Sequence, residues 1–178
     1  MNDVEATWQL WLSGLTPSKR AAAESLRTQF EALGAPDAPA WARSEIDENR
    51  PQLARFVLLR SLWRGPIDGW SDPGALEQVA AARRLLEAGA DREDLVLLTR
   101  AIAYEAVFAV MDELDCGGDV NVSGVHAGWS VMETGEDGRP TGRPLLGLHE
   151  DLLTLDPSGR GGADLWSEIT RPGWVVAP

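Results

Sequence analysis

The sequence predicts a mainly α fold: a multi-helix, bundle-like body with a small C-terminal α+β appendage that contains one β-hairpin. Three observations predict it. Apolar residues recur at helical spacing through the first two thirds of the chain. One later stretch, Trp129 to Thr134, alternates at the period of a strand. Glycine and proline gather toward the C-terminal end. The reading is a helical body over 1–118 and a cap over 119–178 packed on it. The length of 178 residues, 44% apolar, suits one structural domain of that kind.

The first helix is expected over Asp3 to Ser13, where Val4, Trp8, Trp11, Leu12 and Leu15 form one stripe. Thr16-Pro17 reads as an N-cap followed by proline at the first helical position. Ala22, Leu26, Phe30 and Leu33 continue the next stripe until Gly34 stops it, so the two helices should form an antiparallel hairpin. After a Pro/Ala linker, Trp41 to Glu48 makes a short acidic helix. Pro51 opens a more apolar helix through Trp63, which Gly65-Pro66 ends. Asp72-Pro73 should cap a fourth main helix running to Ala88, before Gly89.

The segment from Asp91 to Asp115 is apolar almost all round, the pattern of a helix at the centre of a bundle. Beyond Cys116-Gly117-Gly118 the strand alternation begins. A turn over Gly135 to Gly138 and a return over Arg139 to Arg143 complete a hairpin, with Pro140 confining its second strand to an edge. Leu146 to Leu155 is expected to be helical. Asp156-Pro157-Ser158-Gly159 fits a type I turn, and a last short helix is expected over Asp164 to Ile169.

Composition narrows the function. A net charge of -12 repels nucleic acid and anionic membranes, and it suits a protein partner, a basic one in particular, or a second copy of the chain. Lys19 is the only lysine, an arginine bias that points to a GC-rich genome. A single cysteine, Cys116, fits a reducing cytoplasm. The N-terminus has acidic residues where a signal peptide carries basic ones, and no stretch is apolar for the ~20 residues a membrane span needs.

Candidate chemistry is sparse. Glu105 is the only charge in Ala101 to Met111, on a stripe with Asp91, Leu98 and Asp112. A buried carboxylate there needs a partner, Arg60 or Arg55. His149 beside Glu150 and Asp151 has the pKa range of a general acid or base. His126 could join it at zinc, but no spacing requires this, and no metal or cofactor is implied. Asp112, Asp115, Asp119 and Asn121 around Gly117-Gly118 lack the calcium-loop pattern. The Gly-rich segment Pro157 to Gly162 with Arg160, together with Arg139, Arg143 and Arg171, could hold an anion. Trp70, Trp129, Trp166 and Trp174 lie near turns or ends, where an indole can meet a partner, and the closing segment 172–178 is apolar.

The expected function is therefore a protein-binding or regulatory module without catalysis, of the general character of small acidic bacterial proteins that neutralise a toxin or regulate an enzyme. The alternative is an enzyme or small-molecule binder. Its site would lie between body and cap and use His149, Glu150, Glu105 and Arg143.

Overall fold

The structure, a computed structural model, describes residues 3–118 and 127–166. These contain six α-helices and one two-stranded antiparallel sheet. The chain divides into two compact units that are not consecutive in sequence. The first is Met1–Leu58 with Leu114–Leu148, and the second is Leu59–Glu113 with His149–Pro178.

In the first unit, α1 (Asp3–Ser13) and α2 (Pro17–Leu33) form the expected antiparallel pair. Arg20 Nε donates to the Leu12 carbonyl at 3.1 Å, and Arg27 reaches Glu5 at 2.9 Å, contacts whose order reverses along the two helices. The Thr16 hydroxyl accepts from Lys19 N–H, and Gly34 ends α2 at φ 79°, a left-handed conformation that glycine adopts without strain. Asp37 caps α3 (Ala38–Glu48) through Ala40 N–H at 3.1 Å. Phe30, Trp41 and Phe56 pack with ring centroids 5.5–5.9 Å apart, so α2, α3 and α4 (Gln52–Leu62) share one aromatic core.

Gly65-Pro66 does not stop the helix as expected. Beyond α4 the chain widens into a π-turn, Trp63–Ile67, and then tightens into a 3₁₀ turn, Asp68–Ser71. Pro66 has no N–H to donate into an α ladder; Asp68 N–H instead reaches back five residues to the Trp63 carbonyl. The widened turn buries Trp63 and Ile67 completely, and Trp63 Nε1 donates to the Leu152 carbonyl at 2.6 Å. The next helix also begins later than Asp72-Pro73 predicts. Gly74 at φ 85° breaks any helix opened at Pro73, a 3₁₀ turn occupies Leu76–Gln78, and α5 is Ala80–Glu87.

Helix α6 (Arg92–Cys116) is capped by Asp91, whose carboxylate accepts from Glu93 and Asp94 N–H at 2.7 and 3.2 Å. It is not buried on every side. Arg100, Tyr104 and Met111 face inward, whereas Leu98, Ile102 and Val110 are 55%, 60% and 55% exposed. A helix apolar all round has no polar stripe to mark its outer face, so the pattern alone overstates its burial.

Gly117 ends α6 at φ 69°, and its carbonyl accepts from Trp129 N–H at 3.0 Å. Strands β1 (Met132–Thr134) and β2 (Pro140–Pro144) pair antiparallel, Met132 opposite Pro144 and Thr134 opposite Pro140, with an irregularity between them. Leu146 to Leu155 is not an α-helix. Gly147 sits at φ 65°, turns follow, and only Leu153–Leu155 is a 3₁₀ turn. Leu145, Leu148, Leu152 and Leu155 are all buried, so successive turns produce the three-to-four spacing that reads as a helix. Of the expected last helix, 164–166 lie in turn and bend structure, and 167–169 fall outside the described residues.

Candidate functional site

Of the arginines read as anion holders, Arg139, Arg143 and Arg160 lie beside the protein's own carboxylates. In the first unit Arg143 leaves β2 to meet Glu133 through Nε at 2.8 Å and Glu45 through Nη2 at 3.0 Å. Glu45, only 6% exposed, uses its other oxygen to accept from Leu53 N–H at 2.8 Å, which satisfies one of the free amides at the start of α4. The Glu133 hydrogen bonds raise the Arg143 pKa against the cost of burial. For Glu133, burial pushes the carboxyl up, but the Arg143 and Thr141 hydrogen bonds outweigh it and hold the group below its usual range. On the same helix start, Arg55 donates to Gln52 Oε1 at 2.8 Å and to the Gly147 carbonyl at 2.9 Å. Such an arrangement holds a helix start and a hairpin together. Arg139 is exposed beside Asp137, 3.8 Å away.

In the second unit the Gly-rich loop closes on its own anion. The Asp156 carboxylate accepts from Ser158 N–H, the Ser158 hydroxyl and Gly162 N–H, each at 2.8 Å. Burial raises the Asp156 pKa, but these bonds and the nearby Arg160 charge bring it below the ordinary value. The amides that a phosphate could have used therefore face an internal carboxylate. Arg160 donates to Asp164 at 2.9 Å, and the same Asp164 oxygen accepts from buried Arg100 at 2.7 Å. Arg100 also reaches Asp68 at 2.7 Å.

His149 packs edge-on against Phe108, ring centroids 5.5 Å apart, with Nε2 3.9 Å from Asp112. That distance exceeds a hydrogen bond. Glu150 is exposed, and Glu105 is half-buried on α6. Burial, with a smaller contribution from the Glu105 charge, pushes the neighbouring Tyr104 phenol up to about 12. His149 and Glu105 belong to the second unit and Arg143 to the first. Among the described residues, no three His, Cys, Asp or Glu side chains gather in a group able to hold a metal ion. His126, Asp119, Asn121, Arg171, Trp174 and the segment 172–178 lie outside the described residues.

Two surfaces of the described part of the second unit stand out. One is an open groove of about 550 Å³ beside the π-turn, lined by Gly65, Pro66, Trp70, Asp72, Pro73 and Val79 among others. It is built by the same departures from α geometry that the Gly-Pro and Asp-Pro pairs impose. The sequence reading singled out Trp70 but placed helix ends where this groove forms. The density of Gly, Pro and Trp in 63–74 was the available signal.

The other surface is the outer face of α6. Leu98, Ile102, Ala106 and Ala109 follow i, i+4, i+8, i+11 spacing and are all exposed, and Val110 lies at their edge. Asp94, Glu105 and Asp112 run beside them at spacings of 11 and 7 residues, which keep one helical face. The stripe of Asp91, Leu98, Glu105 and Asp112 noted in sequence thus belongs to this outer side. The two cations of α6 are committed elsewhere: Arg92 pairs with Glu77, and Arg100 is buried with Asp68 and Asp164.

No helix among the described residues is long and apolar enough to cross a membrane. Comparison with protein-family models, curated proteins and solved structures gives no match to this chain.

Proposed function

We propose that this is a cytoplasmic, non-catalytic module that binds another protein through the second unit. The observation that carries the reading is the outer face of α6, where Leu98, Ile102 and Val110 are more than half exposed on one helix. Contiguous apolar surface of this kind is uncommon on monomers and marks interaction sites. The polar groups first considered for chemistry fit the same reading. Arg143 and Arg160 are bound to internal partners, which suits a rigid scaffold better than a site that must exchange ligands.

A photo-crosslinking residue at Ile102, expressed in the source cell, tests this. It should yield a discrete crosslinked protein, while the same residue at Leu10, still more exposed on α1, should not. No adduct at Ile102, or the same adducts at both positions, would remove the reading.

A second reading, a small-molecule binder, is favoured by the groove at 65–79. It moves the expected ligand site from His149 to Trp70. Quenching of indole fluorescence by a metabolite, lost in Trp70→Phe, would support it.

A further inference from the structure

We propose that the occupant of the α6 outer face is a basic amphipathic helix of the partner, laid along α6. This rests on the protein-binding reading and specifies its chemistry.

The apolar stripe from Leu98 to Val110 rises about 18 Å over its 12 steps at ~1.5 Å each, three turns of helix against which a second helix can lie. Ala106 and Ala109 in its C-terminal half leave the backbone open to close approach, and helix axes pack about 8–10 Å apart depending on the side chains at the contact. Beside the stripe run the exposed Asp94 and Asp112. Carboxylates therefore frame the apolar surface, while Arg92 and Arg100 are already paired with acids of this protein. An occupant with apolar residues at helical spacing and Lys or Arg along one flank matches both the stripe and its border. Complementary charge would also speed encounter with an acidic surface.

Two other occupants fit less well. A second copy laid antiparallel would bring its own Asp94 and Asp112 to the same border, setting like charges together, and one laid parallel would bring no complementary cation, since Arg92 and Arg100 are already paired. The chain's own segment 167–178 carries one arginine and a helix-breaking Pro172-Gly173, leaving too short an apolar run to cover three turns.

The test uses the full-length protein and a synthetic 18-residue peptide, Leu on one helical face and Lys on its flank. A scrambled peptide of the same composition and a version with Glu for Lys are the comparisons. Saturable one-to-one binding is expected, with backbone amide shifts centred on 98–110. Affinity should fall at least about tenfold, near 1.4 kcal/mol, in Ile102→Asp and in the Asp94→Asn/Asp112→Asn double variant. Leu98→Ser is the milder companion, and each variant's melting curve reports that it is folded. Equal binding of the scrambled or Glu peptide, shifts centred on 65–79, or no effect of the variants would overturn the proposal. So would a wild-type dimer in sedimentation that Ile102→Asp dissociates, since the occupant would then be a second copy. If the Ile102 crosslink forms while the peptide fails, only the helix assignment falls. If the crosslink fails as well, the protein-binding reading falls with it.

Discussion

Asp156 is the residue whose role differs most from what its neighbourhood suggests in sequence. Asp-Pro-Ser-Gly-Arg-Gly-Gly looks like a loop that could receive an anion, and it already contains one. Three donors converge on that carboxylate. Asp156→Asn should cost about 1–3 kcal/mol of stability, because an amide offers a weaker acceptor and one fewer oxygen to those three donors, of which the Gly162 N–H is buried. The sign with pH follows from the lowered pKa. The folded value lies below the ordinary 3.8, so the carboxylate's contribution is present above about 3.8 and is lost as pH falls through the folded value. Denaturant titrations should therefore find wild type and Asp156→Asn converging as the solution is acidified through that window. A gap that persists unchanged in acid would contradict the assignment. Arg143 teaches the same lesson over a longer range. Its partner Glu45 is 98 residues away in sequence, so no local pattern could distinguish a bound arginine from a waiting one.

At the scale of elements, what local chemistry dictates was legible. Thr16 and Asp91 as caps, Gly34, Gly89 and Gly117 as stops, and the hairpin around Gly135 to Gly138 all follow from backbone donors or left-handed φ at named residues. Elements that tertiary packing reshapes were not legible. The π-turn at Trp63–Ile67 exists because the chain keeps Trp63 and Ile67 buried while accommodating Pro66, and the turns at 148–155 mimic helical spacing because Leu148, Leu152 and Leu155 are each buried three or four residues apart. The groove at 65–79 lies in the first of these, so the reading that missed the π-turn also missed the groove. Trp63→Phe isolates what holds the π-turn. The ring remains, the Nε1 donor is lost, and the buried Leu152 carbonyl loses that partner. A loss of about 1–3 kcal/mol in chemical denaturation is expected. A neutral result would mean that packing alone holds the turn.

For the molecule as a whole, charge and stability pull in opposite directions. With 28 acidic and 16 basic side chains, most cations can be matched and a surplus of carboxylate remains. The pairs that matter most for the fold, Arg100 with Asp164 and Arg143 with Glu45, each include a side chain at least seven-tenths buried and are screened weakly by salt. The surplus is exposed, as along α6, and its mutual repulsion is screened strongly. Raising ionic strength from about 10 mM to about 200 mM should therefore raise the melting temperature, by about 3 °C for each kcal/mol relieved in a chain of this size. A fall in melting temperature would mean that exposed pairs such as Arg43 with Asp47 outweigh the repulsion. Binding should respond with the opposite sign. A basic helix on α6 would neutralise part of the same surplus, so the peptide should raise the melting temperature more at low salt than at high salt. If the excess charge serves to recruit a cationic partner, stability of the free protein and affinity for that partner must move in opposite directions as salt is added.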